Sequence, residues 1–85
     1  MDNQQKDRKH TEEEYRELGH NVAQTFIRTI PRDQLFEMPI STFRDLVKEA
    51  VKDNQILREF MKIDRIPKLV YAYYDGVDDA IENAF

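Results

Sequence analysis

Ile66-Pro-Lys-Leu-Val-Tyr-Ala-Tyr-Tyr-Asp-Gly-Val-Asp-Asp-Ala-Ile-Glu-Asn-Ala-Phe85 is the stretch that decides the fold. Leu69 to Tyr74 has the β-branched and aromatic composition of a strand, and Asp75-Gly76 reads as a turn. The spacing says otherwise. Ile66, Leu69, Val70, Tyr73, Val77, Ala80, Ile81 and Ala84 recur on one face at the 3.6-residue period of a helix. The chain offers no second strand of comparable quality, and a lone strand leaves its backbone donors and acceptors unpaired. A helix from about Ile66, with Pro67 in its first turn, is therefore expected. Gly76 costs that helix about 1 kcal/mol relative to Ala. It falls beside the apolar face, where a missing side chain admits a neighbouring helix.

The rest of the chain repeats this pattern. Thr11-Glu-Glu-Glu14 is a capping box, in which Thr and Glu side chains each satisfy an orphan backbone N–H. Behind it, Tyr15, Leu18, Val22, Phe26 and Ile30 step by three and four, with Ala23 and Ile27 widening the stripe, up to Pro31. Residues 31–40 lie between two prolines, and a single helical turn there places Leu35 and Phe36 inward. Thr42-Phe43-Arg44-Asp45 repeats the capping signature ahead of Phe43, Leu46, Val47, Ala50 and Val51. Asp53-Asn54 breaks the phase; a restart at Asn54 brings Ile56, Leu57, Phe60 and Ile63 onto one arc, and a short helix over about 55–62 is expected. The expectation is an all-α domain over residues 11–85, three to four helices packed in an antiparallel-like manner, behind a flexible tail of residues 1–10. Its core should hold Leu18, Val22, Phe26, Phe43, Leu46, Val47, Phe60, Leu69, Tyr73 and Val77.

Composition narrows the function. The chain has 85 residues, no Cys, and 13 Lys+Arg against 17 Asp+Glu. Without Cys there is no disulfide framework, thiolate metal site or Cys nucleophile. No apolar run approaches the ~18–20 residues of a membrane span, and no apolar stretch near the start resembles a secretory signal. A cytoplasmic protein with no membrane partner is expected. The only segment with a basic excess is the middle, nine bases against seven acids over residues 21–71, too small for large-area phosphate binding.

Motifs for chemistry are absent. The two glycines, Gly19 and Gly76, form no phosphate loop, and no His stands ready to serve a nucleophile. Glu17-Leu-Gly-His20 matches half of a di-iron Glu-x-x-His motif, but Glu17 points away from the apolar stripe and no second copy exists. His10 and His20 read as solvated polar residues. No enzyme activity, cofactor or metal is expected.

Charged faces remain. Asp75, Asp78, Asp79 and Glu82 share one stripe opposite the apolar face of the last helix, with no base among residues 72–85. Asp-rich magnesium motifs look similar, but they serve a large apolar substrate cavity that so short a chain cannot enclose. Like charges at these spacings repel, and acids in a last turn oppose the helix dipole. A partner with a basic groove would relieve both, with Tyr71 and Phe85 as apolar anchors. Arg44, Lys48 and Lys52 line up beside Asp45, Glu49 and Asp53, as helix-stabilising pairs.

The leading expectation is thus a small regulator, inhibitor or adaptor binding another protein through Tyr71, Asp75, Asp78, Asp79, Glu82 and Phe85. The alternative is a nucleic-acid reader with a helix-turn-helix-like pair at 42–62 that turns Arg58, Lys62, Arg65 and Lys68 toward phosphate. A third is a structural subunit acting as a homodimer or larger homo-oligomer.

Overall fold

A computed structural model describes residues 10–84, which form five helices and no strand. They are α1 (Glu12–Ile27), α2 (Arg32–Glu37), α3 (Ile40–Val51), α4 (Gln55–Asp64) and α5 (Leu69–Asn83). Residues 1–9 of the tail expected over 1–10, and the anchor Phe85, lie outside the described residues.

Local chemistry sets most boundaries. Thr11 Oγ1 accepts from the Glu14 backbone N–H at 3.1 Å, and Glu14 Oε1 accepts from the Thr11 N–H at 2.7 Å, which completes the capping box of α1. Asn54 caps α4, its Oδ1 accepting from Leu57 N–H at 3.0 Å. The start of α3 departs from expectation. It begins at Ile40 behind Pro39, with no side-chain cap. Pro39 supplies a preset φ and has no N–H to satisfy, so Thr42 is not needed as a cap. The last helix starts at Leu69, after a tight turn whose N–H groups bond three residues back, from Ile66 to Tyr71. Leu69 to Tyr74 is helix, as the periodicity requires.

Three long helices make the bundle. α1 and α5 share the most extensive packing, and α3 lies against both. Gly19 meets Tyr73, His20 reaches Asp79, and Gln24 and Ile27 share a groove with Ala80 and Ala84. The order rises together along both chains, so α1 and α5 run parallel. α3 runs against them, with Val51 beside Tyr73 and Lys48 beside Asp78. The antiparallel-like expectation is corrected for the α1–α5 pair: α3 is the return stroke between them. Two short helices close the ends, α4 where α1 begins and α2 where α1 and α5 finish.

The α1–α5 crossing is made by glycine. A Cβ added to Gly19 would overlap the Tyr73 carbonyl oxygen, and one added to Gly76 would overlap that of Arg16 and lie 2.8 Å from the His20 backbone nitrogen. Each glycine therefore aims a Cα–H at a carbonyl of the opposite helix, a weak attractive contact. Ala23 follows Gly19 by four residues, and Ala72 and Ala80 flank Gly76 by four, all buried. These small residues keep the backbones close along the crossing.

Tyr15, Phe43, Val47, Val51, Leu57, Tyr73, Val77 and Ile81 fill the centre. Leu46, expected in the core, is 41% exposed. The groove beside the close α1–α5 pair takes one line of α3 side chains, Phe43, Val47 and Val51, and Leu46 and Ala50 fall outside it. Leu18, Val22, Phe26 and Phe60 pack at the core's edge, half buried. Phe36, expected inward with Leu35, is 70% exposed, since the short α2 buries only Leu35.

Gly19→Ala and Gly76→Ala test the crossing. On an open helix surface either change would add about 1 kcal/mol of helix propensity. Here each should destabilise by about 1–3 kcal/mol or more, because backbone rather than a flexible side chain must move. Urea denaturation followed by circular dichroism measures the sign.

Candidate functional site

The acidic stripe of α5 is divided by the bundle. Asp78 turns toward α3, where Lys48 Nζ lies 3.3 Å from its Oδ1, close enough to pair but without hydrogen-bond alignment. Asp79 turns toward α1, 3.1 Å from His20 Nδ1. Their neighbours in sequence carry no base, but α1 and α3 bring one to each. The stripe is therefore not uniformly solvated, as the sequence implied. Among the described residues, Asp75 and Glu82 have no cationic partner within ion-pair distance and are exposed. Tyr71, on the same line, is 74% exposed. The outward face thus reduces to Tyr71, Asp75 and Glu82, edged by two carboxylates tied to the bundle.

The alternative basic set is scattered along the α4–α5 joint. Arg58 is exposed, 3.9 Å from Asp53. Lys62 lies in the last turn of α4, where a cation suits the helix dipole. Arg65 ends α4 in the left-handed conformation, φ 56°, donating its N–H to the Met61 carbonyl. Lys68 precedes the first residue of α5. All four are exposed. They span one helix face, its cap and the following turn rather than a single helix surface.

Sequence reasoning missed a third cluster. Asp64, the last residue of α4, is 1% exposed. Its Oδ2 accepts from the Tyr15 hydroxyl at 2.5 Å and from His10 Nδ1 at 3.1 Å, and its Oδ1 accepts from the His10 backbone N–H at 2.8 Å. A carboxylate can only accept, so the shared proton sits on Nδ1 of His10. The imidazole stacks on Phe60 with centroids 3.6 Å apart, and Tyr15 meets Phe60 edge-on. His10 is therefore docked, not a solvated tail residue. A signal existed in retrospect: Asp64 shares the helical arc of Leu57, which a solvated acid would avoid.

Electrostatics follow from this geometry. Burial pushes the Asp64 carboxyl up, but hydrogen bonds from Tyr15 and from the backbone and ring of His10 outweigh it and hold it below the ordinary carboxylate value. Burial, then the bond to Asp64 and its charge, push the Tyr15 hydroxyl well above the usual phenol range. Tyr73 is raised mainly by burial, and its hydroxyl donates to the Val51 carbonyl at 2.7 Å, one of the carbonyls left open at the end of α3.

No set of three or more His, Asp or Glu side chains among the described residues is placed to hold a metal ion. A groove of about 450 Å³ between the ends of α1, α2 and α5 is lined by Ile27, Ile30, Leu35 and Phe36 together with Arg28 and Arg32, with no carboxylate or imidazole. Compared with protein-family models, curated proteins and solved structures, the chain finds no match.

The Asp64 cluster makes stability pH-dependent with a definite sign. Its carboxyl binds protons less readily folded than unfolded, so its contribution is complete above the ordinary value of 3.8 and is lost as pH falls through the lower folded value. Denaturant melts from pH 6 to pH 2 should show this acid loss. Asp64→Asn should flatten the slope and cost roughly 1–3 kcal/mol at neutral pH, through unsatisfied buried donors.

Proposed function

We propose that the protein is a small non-enzymatic regulator, inhibitor or adaptor that binds another protein through the outer face of α5. The observation that carries this reading is Tyr71, a large aromatic 74% exposed in line with two acids that have no partner within the described residues. An aromatic beside unpaired charge suits an interface whose centre is apolar and whose rim is polar. Asp75 and Glu82 raise the approach rate of a basic partner. Asp78 already pairs with Lys48 and Asp79 already lies beside the His20 ring, and both serve as the edge. The partner fitting this face carries a basic groove that admits a tyrosine ring.

Among the described residues no helix is long and apolar enough to cross a membrane. A homodimer would have to set this acidic face against another surface of its copy, because an acidic face repels itself.

The variant Tyr71→Ala/Asp75→Asn/Glu82→Gln removes the face without touching the core. It should fold with stability within about 0.5 kcal/mol of wild type, as surface changes usually do. Wild type and variant are then used to capture partners from the native host at ~100 mM salt. A protein retained by wild type and lost by the variant, with binding that weakens as salt rises, supports the reading. Equal retention by both refutes it. Retention of duplex nucleic acid, lost on neutralising Arg58, Lys62, Arg65 and Lys68, replaces it with the nucleic-acid alternative.

A further inference from the structure

Asp64 has no role in the α5 face, yet it is the one buried charged side chain among the described residues. It sits at the end of one of the two short helices, which share little packing with the three long ones. No other helix runs alongside α4 for any length. Leu57 enters the core, Phe60 and Met61 pack at its edge, and Ile56 and Ile63 stay half exposed on one flank. What fastens α4 beyond these contacts comes from elsewhere in the chain: the Tyr15 hydroxyl from the first turn of α1, and the ring and backbone of His10 from the residue ahead of its cap. No lysine or arginine pairs with Asp64 among the described residues. The attachment depends on those two residues.

We propose that α4 is a hinged flap, latched by His10 and Tyr15 on Asp64, so that docking of His10 and closure of α4 are one coupled event. Both ends of α4 are built to pivot. At one end residues 52–54 form a short connector with Asn54 as cap. At the other, Arg65 is held at φ 56°, a conformation that strains a side-chain-bearing residue. His10 closes both parts of the latch at once, bonding Asp64 and covering Phe60. Coupling of this kind is reciprocal. A ligand that draws His10 away opens α4, and a ligand that holds α4 open frees His10.

Hydrogen exchange on the full chain at neutral pH tests this, comparing wild type with His10→Ala, Tyr15→Phe and Asp64→Asn. Local opening speeds exchange only in the segment that opens. Hydrogen bonds to a buried carboxylate are strong enough that losing them should speed exchange across residues 57–64 roughly tenfold to a hundredfold. Amides of α1 and α5 around Gly19 and Tyr73 should stay within about twofold of wild type, a margin well inside the effect expected for α4. Uniform acceleration in every helix would show that Asp64 supports global stability only, and overturns the flap. Unchanged exchange in α4 overturns the latch. Should Asp64→Asn fail to fold, His10→Ala and Tyr15→Phe decide the matter, since each leaves the carboxylate one of its two partners.

Discussion

Two glycine-to-backbone contacts, Gly19 on Tyr73 and Gly76 on Arg16, set the geometry on which the rest of the molecule depends. Parallel neighbours need a crossover connection, and here α2, α3 and α4 provide it within residues 32–64. The close approach fixes how α5 is rotated about its own axis. With Ala72, Gly76 and Ala80 turned toward the bundle, Tyr71, Asp75 and Glu82 must face outward. A small domain has little apolar area to spare, and close backbone packing raises contact density without needing larger side chains.

Rotation of α5 also distributes its charge. Four acids on one helix repel one another when the helix is considered alone. In the bundle, Lys48 of α3 and His20 of α1 each take one of them, 3.3 and 3.1 Å away. These half-exposed pairs add little stability. Their consequence is selection: they leave Asp75 and Glu82 as the acids of α5 with no basic side chain beside them among the described residues. The face proposed for binding is thus narrower than the stripe visible in the sequence.

Most of the secondary structure was legible because it is written in local chemistry. The Thr11 capping box, the restart at Asn54 and the helical period through Leu69–Tyr74 need only neighbours in sequence. Gly76 as a point of close approach was legible too, from its place beside an apolar stripe. Its counterpart was not, although Gly19-x-x-x-Ala23 and Ala72-x-x-x-Gly76-x-x-x-Ala80 are visible as small residues at four-residue spacing. Without knowing that the two helices touch, Gly19 is only a poor helix former. Leu46 shows the opposite failure. Its spacing is that of a core residue, but the width of the groove that receives α3 is a tertiary property. The Asp64 cluster joins residues 54 positions apart: its place on the arc of Leu57 marks the acid as turned inward, but no local pattern names the distant donors that satisfy it.

Cross-helix nuclear Overhauser effects report the glycine crossing without altering it. A parallel α1–α5 crossing at the glycines requires contacts from the Gly76 Hα protons to the His20 amide, and from the Gly19 Hα protons to the backbone of Tyr73. It also requires contacts between the later turns, Ile27 with Ala80 or Ala84, in the same rising order. Contacts in falling order, with Gly19 near Ala80 and Ile27 near Tyr73, would mean that α1 and α5 run antiparallel. The rotation of α5, the pairing of Asp78 and Asp79, and the outward face built on Tyr71 would then all be wrong.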